Sequence, residues 1–301
     1  MSAIAKPAAT TLNADHRRPS DRTGLIPFLR MLFARPQAQI GGLIIFVLVA
    51  AAISAPWLAP YDPLEIRLGK PLSGPSLTHL FGLDDLGRDM LSRIIYGARI
   101  TLRIGVIIVV IEVVIGVSVG LVAGFYGGWV DGLLMRFTDV VLAFPGFILA
   151  LAVVAILGPG LNNAMIAVGI SSWPFFARVV RSSVLSVKGM EYITAGRVLG
   201  ARDRHIMVKA ILPNVLAPII VLASLEFPAA VLYASALSFL GLGAQPPSPE
   251  WGALLTDARN FIRTAPHLIN IPGAAIFFVV LAFNLLGNTL RDVMDPRLRG
   301  R

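Results

Sequence analysis

The chain has 301 residues, of which 56% are hydrophobic and only 14% charged, and its mean hydropathy is +0.76. That balance excludes an ordinary water-soluble domain. The net charge of +9 would suit a nucleic-acid binder, but most of the 26 Lys and Arg fall in segments that successive spans place on one side of a membrane, the positive-inside bias of cytoplasmic loops. Having no cysteine excludes disulfides and thiolate metal sites and identifies no compartment.

Met1–Pro36 reads as a polar, basic tail, with Leu25–Phe33 a short helix on the membrane surface. The first span is expected at Ile40–Leu58. The small residues around Ala51–Ala55 invite a cleaved signal peptide, but the long preceding tail and the length of the run favour an uncleaved anchor. Trp57–Tyr96 follows as the longest polar insertion, broken early by Pro56, Pro60, Pro63, Pro71 and Pro75. Later in it, Met90, Ile94 and Gly97 recur at helical spacing, which predicts an amphipathic helix on the outer face. Asp84, Asp85 and Asp89 lack the spacing and glycine of a calcium loop, so capping and pairing with Arg88 and Arg93 are expected instead.

The second span, Ile100–Gly124, carries Glu112. A central acid costs roughly 3 kcal/mol and each Ile, Val or Leu returns about 0.3 to 0.6, so insertion still wins. Gly116-Val117-Ser118-Val119-Gly120 matches the G-x-S-x-G of serine hydrolases, but a continuous apolar helix has no nucleophile elbow. Gly116, Gly120 and Gly124 read as a small-residue ridge for helix packing. Phe125–Phe137 is expected as a cytoplasmic turn and Asp139–Leu157 as the third span, with Asp139 a helix cap. The fourth span is Asn163–Val180, kinked at Trp173-Pro174 and fixed at its inner end by Arg178 and Arg181. The fifth is Val215–Phe239, with Glu226 near its middle. Trp251 is expected as an interface anchor in the outer loop 241–270, and Ile271–Leu290 is the sixth span. Six spans with both ends inside follow.

Between the fourth and fifth spans lies a basic island, Gly189–Asn214. Glu191 suits the first turn of a short helix, whereas Gly196 costs such a helix about 1 kcal/mol relative to Ala. A mid-helix glycine therefore implies a bend or a partner pressed on the backbone. Pro213 fits a first turn, where an N–H has no partner anyway. The order Glu191-Tyr192-Ile193-Thr194-Ala195-Gly196, then Ile211-Leu212-Pro213, resembles the cytoplasmic "EAA" loop of ATP-binding-cassette importer permeases, with Tyr192 where that name implies alanine. His79–Arg99 and Pro246-Pro247-Ser248-Pro249-Glu250-Trp251-Gly252 are similar to segments of bacterial dipeptide and oligopeptide importer permeases of the C type, whose close kin carry nickel complexes.

The resemblance implies an all-α, type I importer permease in the bacterial inner membrane, with both termini cytoplasmic. It divides the chain into a tail (1–36), a first span with its extracytoplasmic segment (37–99), a permease core (100–291) with a coupling loop (185–213), and a second tail (292–301). It implies a second permease forming the path, ATPase subunits that bind ATP and Mg, a solute-binding protein and surrounding lipid, with no cofactor in this chain and no nucleic acid. The coupling residues it implies are Glu191, Tyr192, Thr194, Ala195, Gly196, Leu199, Gly200, Ala201, Leu212 and Pro213.

No G-x-x-x-x-G-K-[ST] loop or H-E-x-x-H occurs, and the histidines at 16, 79, 205 and 267 are scattered. An intramembrane enzyme using Ser118, Glu112 or a histidine, and an ion-gradient-driven transporter, are the competing readings. Glu226 and Glu112 are the candidate substrate-path residues, since acids within spans face cavities or other helices. Either is placed to meet a peptide's amino terminus, or to bond a neighbouring helix or serine.

Overall fold

Asp89 sets the start of the longest element. Its carboxylate accepts the Ser92 N–H at 2.8 Å and so caps α4, Met90–Tyr126, which ends where Gly127 takes a φ of +69°. The computed structural model describes residues 25–294; the predicted tails lie outside the described residues except at their inner ends. At 1.5 Å per residue α4 is about 55 Å long, well beyond a hydrocarbon core of about 30 Å. The separate amphipathic helix expected around Met90–Arg99 is therefore the projecting first turns of the same helix.

Before α4 come α1 (Leu25–Phe33), α2 (Pro36–Ile53) and the one-turn α3 (Ala55–Leu58). After it come α5 (Gly128–Leu142), α6 (Gly146–Leu157), α7 (Leu161–Lys188), α8 (Glu191–Val198), α9 (Asp203–His205), α10 (Leu212–Phe239), α11 (Trp251–Ala258) and α12 (His267–Met294). Helix α2, α4, α7, the run from Asp203 through α10, and α12 are each long and apolar enough to span a bilayer. A sixth span requires α5 and α6 together, and these are bent by 87°. The third span expected as one straight helix over Asp139–Leu157 is thus broken. Pro145, in extended backbone, has no N–H to continue α5 and disfavours helix at Phe144. Phe125–Phe137, expected as a turn, is mostly helix α5. Asp139 lies inside that helix rather than at its cap, and accepts from Arg178 Nη2 at 2.7 Å.

The glycine ridge packs as predicted. A Cβ on Gly116 would lie 2.7 Å from the Trp173 carbonyl, one on Gly120 2.9 Å from Val180 Cβ, and one on Gly124 2.8 Å from Val184 Cβ. Three turns of α4 therefore lie backbone-to-backbone on α7, the most extensive helix contact in the molecule. Ser118 beside the ridge donates to the Val114 carbonyl at 2.6 Å, within its own helix, and has no base. Helix α7 runs through Pro174 without interruption.

At the end holding the long insertion, Arg93 and Asp84 form a buried ion pair. Asp84 also accepts from Arg88 Nε at 2.6 Å, and His79 Nδ1 lies 3.0 Å from Asp89. Capping and pairing thus use these acids as expected. Asp257 of α11 sits 3.8 Å from Arg93, and burial pushes its carboxyl up while the two arginines pull it back. Trp251 is not an interface anchor. It is fully buried, donates from Nε1 to the Ile94 carbonyl at 3.1 Å, and lies against Gly97, where a side chain would collide with it. Glu250, also fully buried, caps α11 through the Gly252 and Ala253 N–H groups, both at 2.9 Å. Burial pushes the Glu250 carboxyl above the usual range despite those bonds. Trp57 and Trp129 instead stand exposed on the surface, at 83% and 79%. Replacing Trp251 by alanine is expected to destabilise this end by about 3 to 5 kcal/mol, read as a lower unfolding temperature and faster proteolysis within 57–96.

Candidate functional site

Helix α8 is short, so its position depends on what fixes its two ends and its inner face. Met190 enters in extended backbone, Glu191 occupies the first turn and Arg197 the last, both favourable to the helix dipole. Gly200, at φ +79°, closes it: its N–H reaches the Arg197 carbonyl at 2.9 Å, and the Ala201 N–H reaches Gly196 at 3.0 Å. The chain then re-enters helix at α9 and passes through a π-helical turn, Ile206–Ile211, into α10. Pro213, expected in a free first turn, instead follows the π turn within one helical run from Asp203, so its missing N–H falls inside the run and not at a free helix end. The fifth span thus begins inside the basic island, at Asp203, because the π turn joins the two helical segments instead of ending them.

One face of α8 is welded to the bundle. Ile193 is 1% exposed and packs in an apolar cluster with Val180, Val184 and Val187 of α7, Phe125 of α4, and Ile206 and Ile211 of the π turn. The Arg197 guanidinium lies 5.1 Å from the Phe125 ring centre and the Lys188 ammonium 5.8 Å, so two cations lie over one aromatic ring. Further along, Arg181 grips Asp131 of α5 with two hydrogen bonds of 2.5 Å.

The opposite face is open. A shallow depression of about 490 Å³ is lined by Gly189, Glu191, Thr194, Ala195, Val198 and Leu199. Val198 and Leu199 are 82% and 86% exposed, an apolar pair in an otherwise basic loop. A Cβ on Gly196 would meet no heavy atom within 4 Å, and α8 is unbroken there. Neither a bend nor a contact among the described residues accounts for the glycine.

Of the residues singled out in the sequence, Glu191, Thr194, Ala195 and Leu199 come together around the depression, with Tyr192 half-exposed beside it. Gly200 ends the helix, whereas Ala201 and Leu212 pack against the inner cluster. Pro213 is exposed and lies outside the depression. Sequence reasoning missed Gly189 and Val198; the adjacent valine and leucine among charged residues were the available signal. His205 is exposed and lines neither cavity.

The second candidate locus lies at the break between α5 and α6. A cavity of about 250 Å³ is bounded there by Pro145, Gly146, Ser171, Ser172, Glu226 and Tyr233, among others. Glu112 does not line it. Its carboxylate is 1% exposed, stands beside Ser172, and its Oε2 has no hydrogen-bond partner among the described residues. No group of three His, Cys, Asp or Glu able to hold a metal ion occurs among the described residues.

Residues 116–300 match the family described as binding-protein-dependent transport system inner membrane component, and residues 27–75 match the N-terminal transmembrane domain of oligopeptide transport permease C. The chain is 48% identical over 262 residues to the dipeptide transport system permease protein DppC of Alkalihalophilus pseudofirmus, covering 87% of this chain and 86% of that one. It is 48% identical over 280 residues to the glutathione transport system permease protein GsiD of Shigella flexneri serotype 5b, covering 93% and 92%. Among solved structures, a chain of the inward-facing MetNI methionine ABC transporter superimposes with a TM-score of 0.55 at 22% identity, over 68% of this chain and 97% of that one.

Proposed function

The chain belongs to the family of binding-protein-dependent transport system inner membrane components, and from that premise we propose that it lines, together with a second permease, the path of an ATP-driven importer for dipeptides, longer peptides or a related solute such as glutathione. It is a multi-pass inner-membrane transport subunit and not an enzyme. The G-x-S-x-G run is helix packing, and family membership replaces both the enzyme and the gradient-driven transporter readings.

Within this reading, α8 is the element that an ATPase subunit grips on the cytoplasmic face. Both termini lie on that face, and the solute-binding protein meets the opposite end, near Trp251 and the long insertion. ATP and Mg are held by the ATPase. The observation that carries the proposal is the two-sidedness of α8: its inner face is fused through Ile193 to α4, α7 and the π turn, while its outer face presents a shallow apolar depression. A helix so mounted cannot move alone. When closing ATPase subunits displace α8, α7 and α10 are carried with it, and Arg181–Asp131 passes the motion to α5. The boundaries 1–36, 37–99, 100–291 with 185–213, and 292–301 follow this division of labour.

The test is reconstitution of the chain with its partner permease, ATPase and binding protein in sealed vesicles. Peptide uptake is expected only with ATP and all components present. Uptake by this chain without an ATPase, or with an ionophore-sensitive gradient in place of ATP, would overturn the proposal.

A further inference from the structure

The depression on α8 leaves the second locus unused, and its chemistry is of a different kind. The α5–α6 break opens a cavity of about 250 Å³ among segments otherwise packed for the membrane. Glu226 of α10 is half-buried in its wall, and no lining residue is basic. The Ser171 hydroxyl, in the lining, donates to the Ala167 carbonyl at 2.7 Å, which leaves its oxygen free to accept. Behind Ser172 stands Glu112, with one oxygen unpartnered among the described residues. Two acids so placed, with no basic residue among the lining residues, offer carboxyl groups that only an incoming cation would compensate, in a medium where an uncompensated carboxylate is expensive.

Resting on the peptide-importer reading above, we propose that this cavity receives a primary ammonium group, the free amino terminus of a peptide in transit. Glu226 is its counter-charge, Ser171 and Ser172 are its acceptors, and Glu112 stands behind Ser172 as a second acid. Tyr233 follows Glu226 by two helical turns on the same face of α10 and offers its ring to the same cation. The volume falls below the roughly 300 to 1,000 Å³ of sites that enclose a whole drug-sized ligand, so the cavity takes one end of the cargo. A divalent metal is a poorer fit, because Glu226 is the one carboxylate lining the cavity and no group of three His, Cys, Asp or Glu gathers among the described residues.

The experiment uses the complete transporter in vesicles. At saturating binding protein, Glu226→Gln is expected to lower dialanine uptake about tenfold or more, the effect of losing one charge-assisted contact, with binding-protein-stimulated ATP hydrolysis retained. Glu226→Asp is expected to keep most uptake. Because the chain has no cysteine, Ala229→Cys in the cavity wall gives a single labelling site in it. During turnover, dialanine is expected to slow maleimide labelling there, N-acetyl-dialanine is not, and Glu226→Gln is expected to abolish the difference. Undiminished uptake by Glu226→Gln, or equal protection by both peptides, would overturn the ammonium site and leave the importer reading standing. Absence of ATP-driven peptide uptake by the unaltered transporter would overturn both.

Discussion

Replacing Gly116 by leucine is expected to stop the chain from folding into its bundle. A Cβ at that position lies 2.7 Å from the Trp173 carbonyl and 3.1 Å from the Ala177 nitrogen, and it meets the Phe176 Cβ closer still. All three are backbone atoms or the root of a side chain, so no rotamer change gives way. Helix α7 must retreat along its length, and with it the ridge contacts at Gly120 and Gly124. Overpacking in a core typically costs 1 to 3 kcal/mol, and a backbone obstacle puts this case at about 3 kcal/mol or more. The measurement is the unfolding temperature and detergent-extractable yield of the isolated chain. Gly132→Leu is the control: it makes a similar substitution in a helix, but a Cβ there meets nothing within 4 Å. Equal behaviour of the two variants would refute the claim that α4 and α7 are held by backbone approach.

That ridge was legible in the sequence because its signal is local: three glycines four residues apart on one face imply a close neighbour whatever that neighbour is. The start of α8 was legible for the same reason, with an acid in the first turn, whereas Gly200, read as a coupling residue, is the glycine that ends it. What escaped depends on residues far apart in the chain. Trp251 looks like an interface anchor from its own loop, and only Gly97 and the Ile94 carbonyl, supplied by α4, turn it into a buried wedge. Helix α5 was hidden because Gly127, Gly128, Asp131 and Arg136 read as a polar turn. The Asp131 carboxylate is in fact neutralised by Arg181 of α7. The break at Pro145 was available from the proline rule, but the apolar run on either side outweighed it. The candidate cavity was half legible: Glu112 and Glu226 stood out as acids in apolar runs, whereas the space between helices that makes Glu226 usable has no sequence signature.

Gly196→Leu is expected to separate folding from transport. Among the described residues nothing lies within 4 Å of the added Cβ, so the root of the new side chain meets no obstacle. It also removes a helix-interior glycine worth about 1 kcal/mol of helix propensity. On the chain's own account, then, α8 should be as stable as before or more so. On the proposed reading, the case for glycine rests on an ATPase surface seated on the Glu191–Leu199 face and pressed against the backbone. Four added carbons at that contact hold the two surfaces apart, and a transmitted displacement of a few ångströms is lost in the gap. Peptide uptake is expected to fall about a hundredfold or more, as when the centre of a protein–protein interface is disrupted by about 3 kcal/mol. The unfolding temperature of the chain should be unchanged or raised, and ATP hydrolysis by the assembled complex should lose its stimulation by binding protein. Leu199→Asp, which leaves Gly196 intact and charges the rim of the same depression, is expected to give the same phenotype for the opposite reason, a desolvated carboxylate rather than excess volume. Full-rate uptake by Gly196→Leu would refute the placement of the ATPase on this face, since no contact among the described residues remains to excuse it.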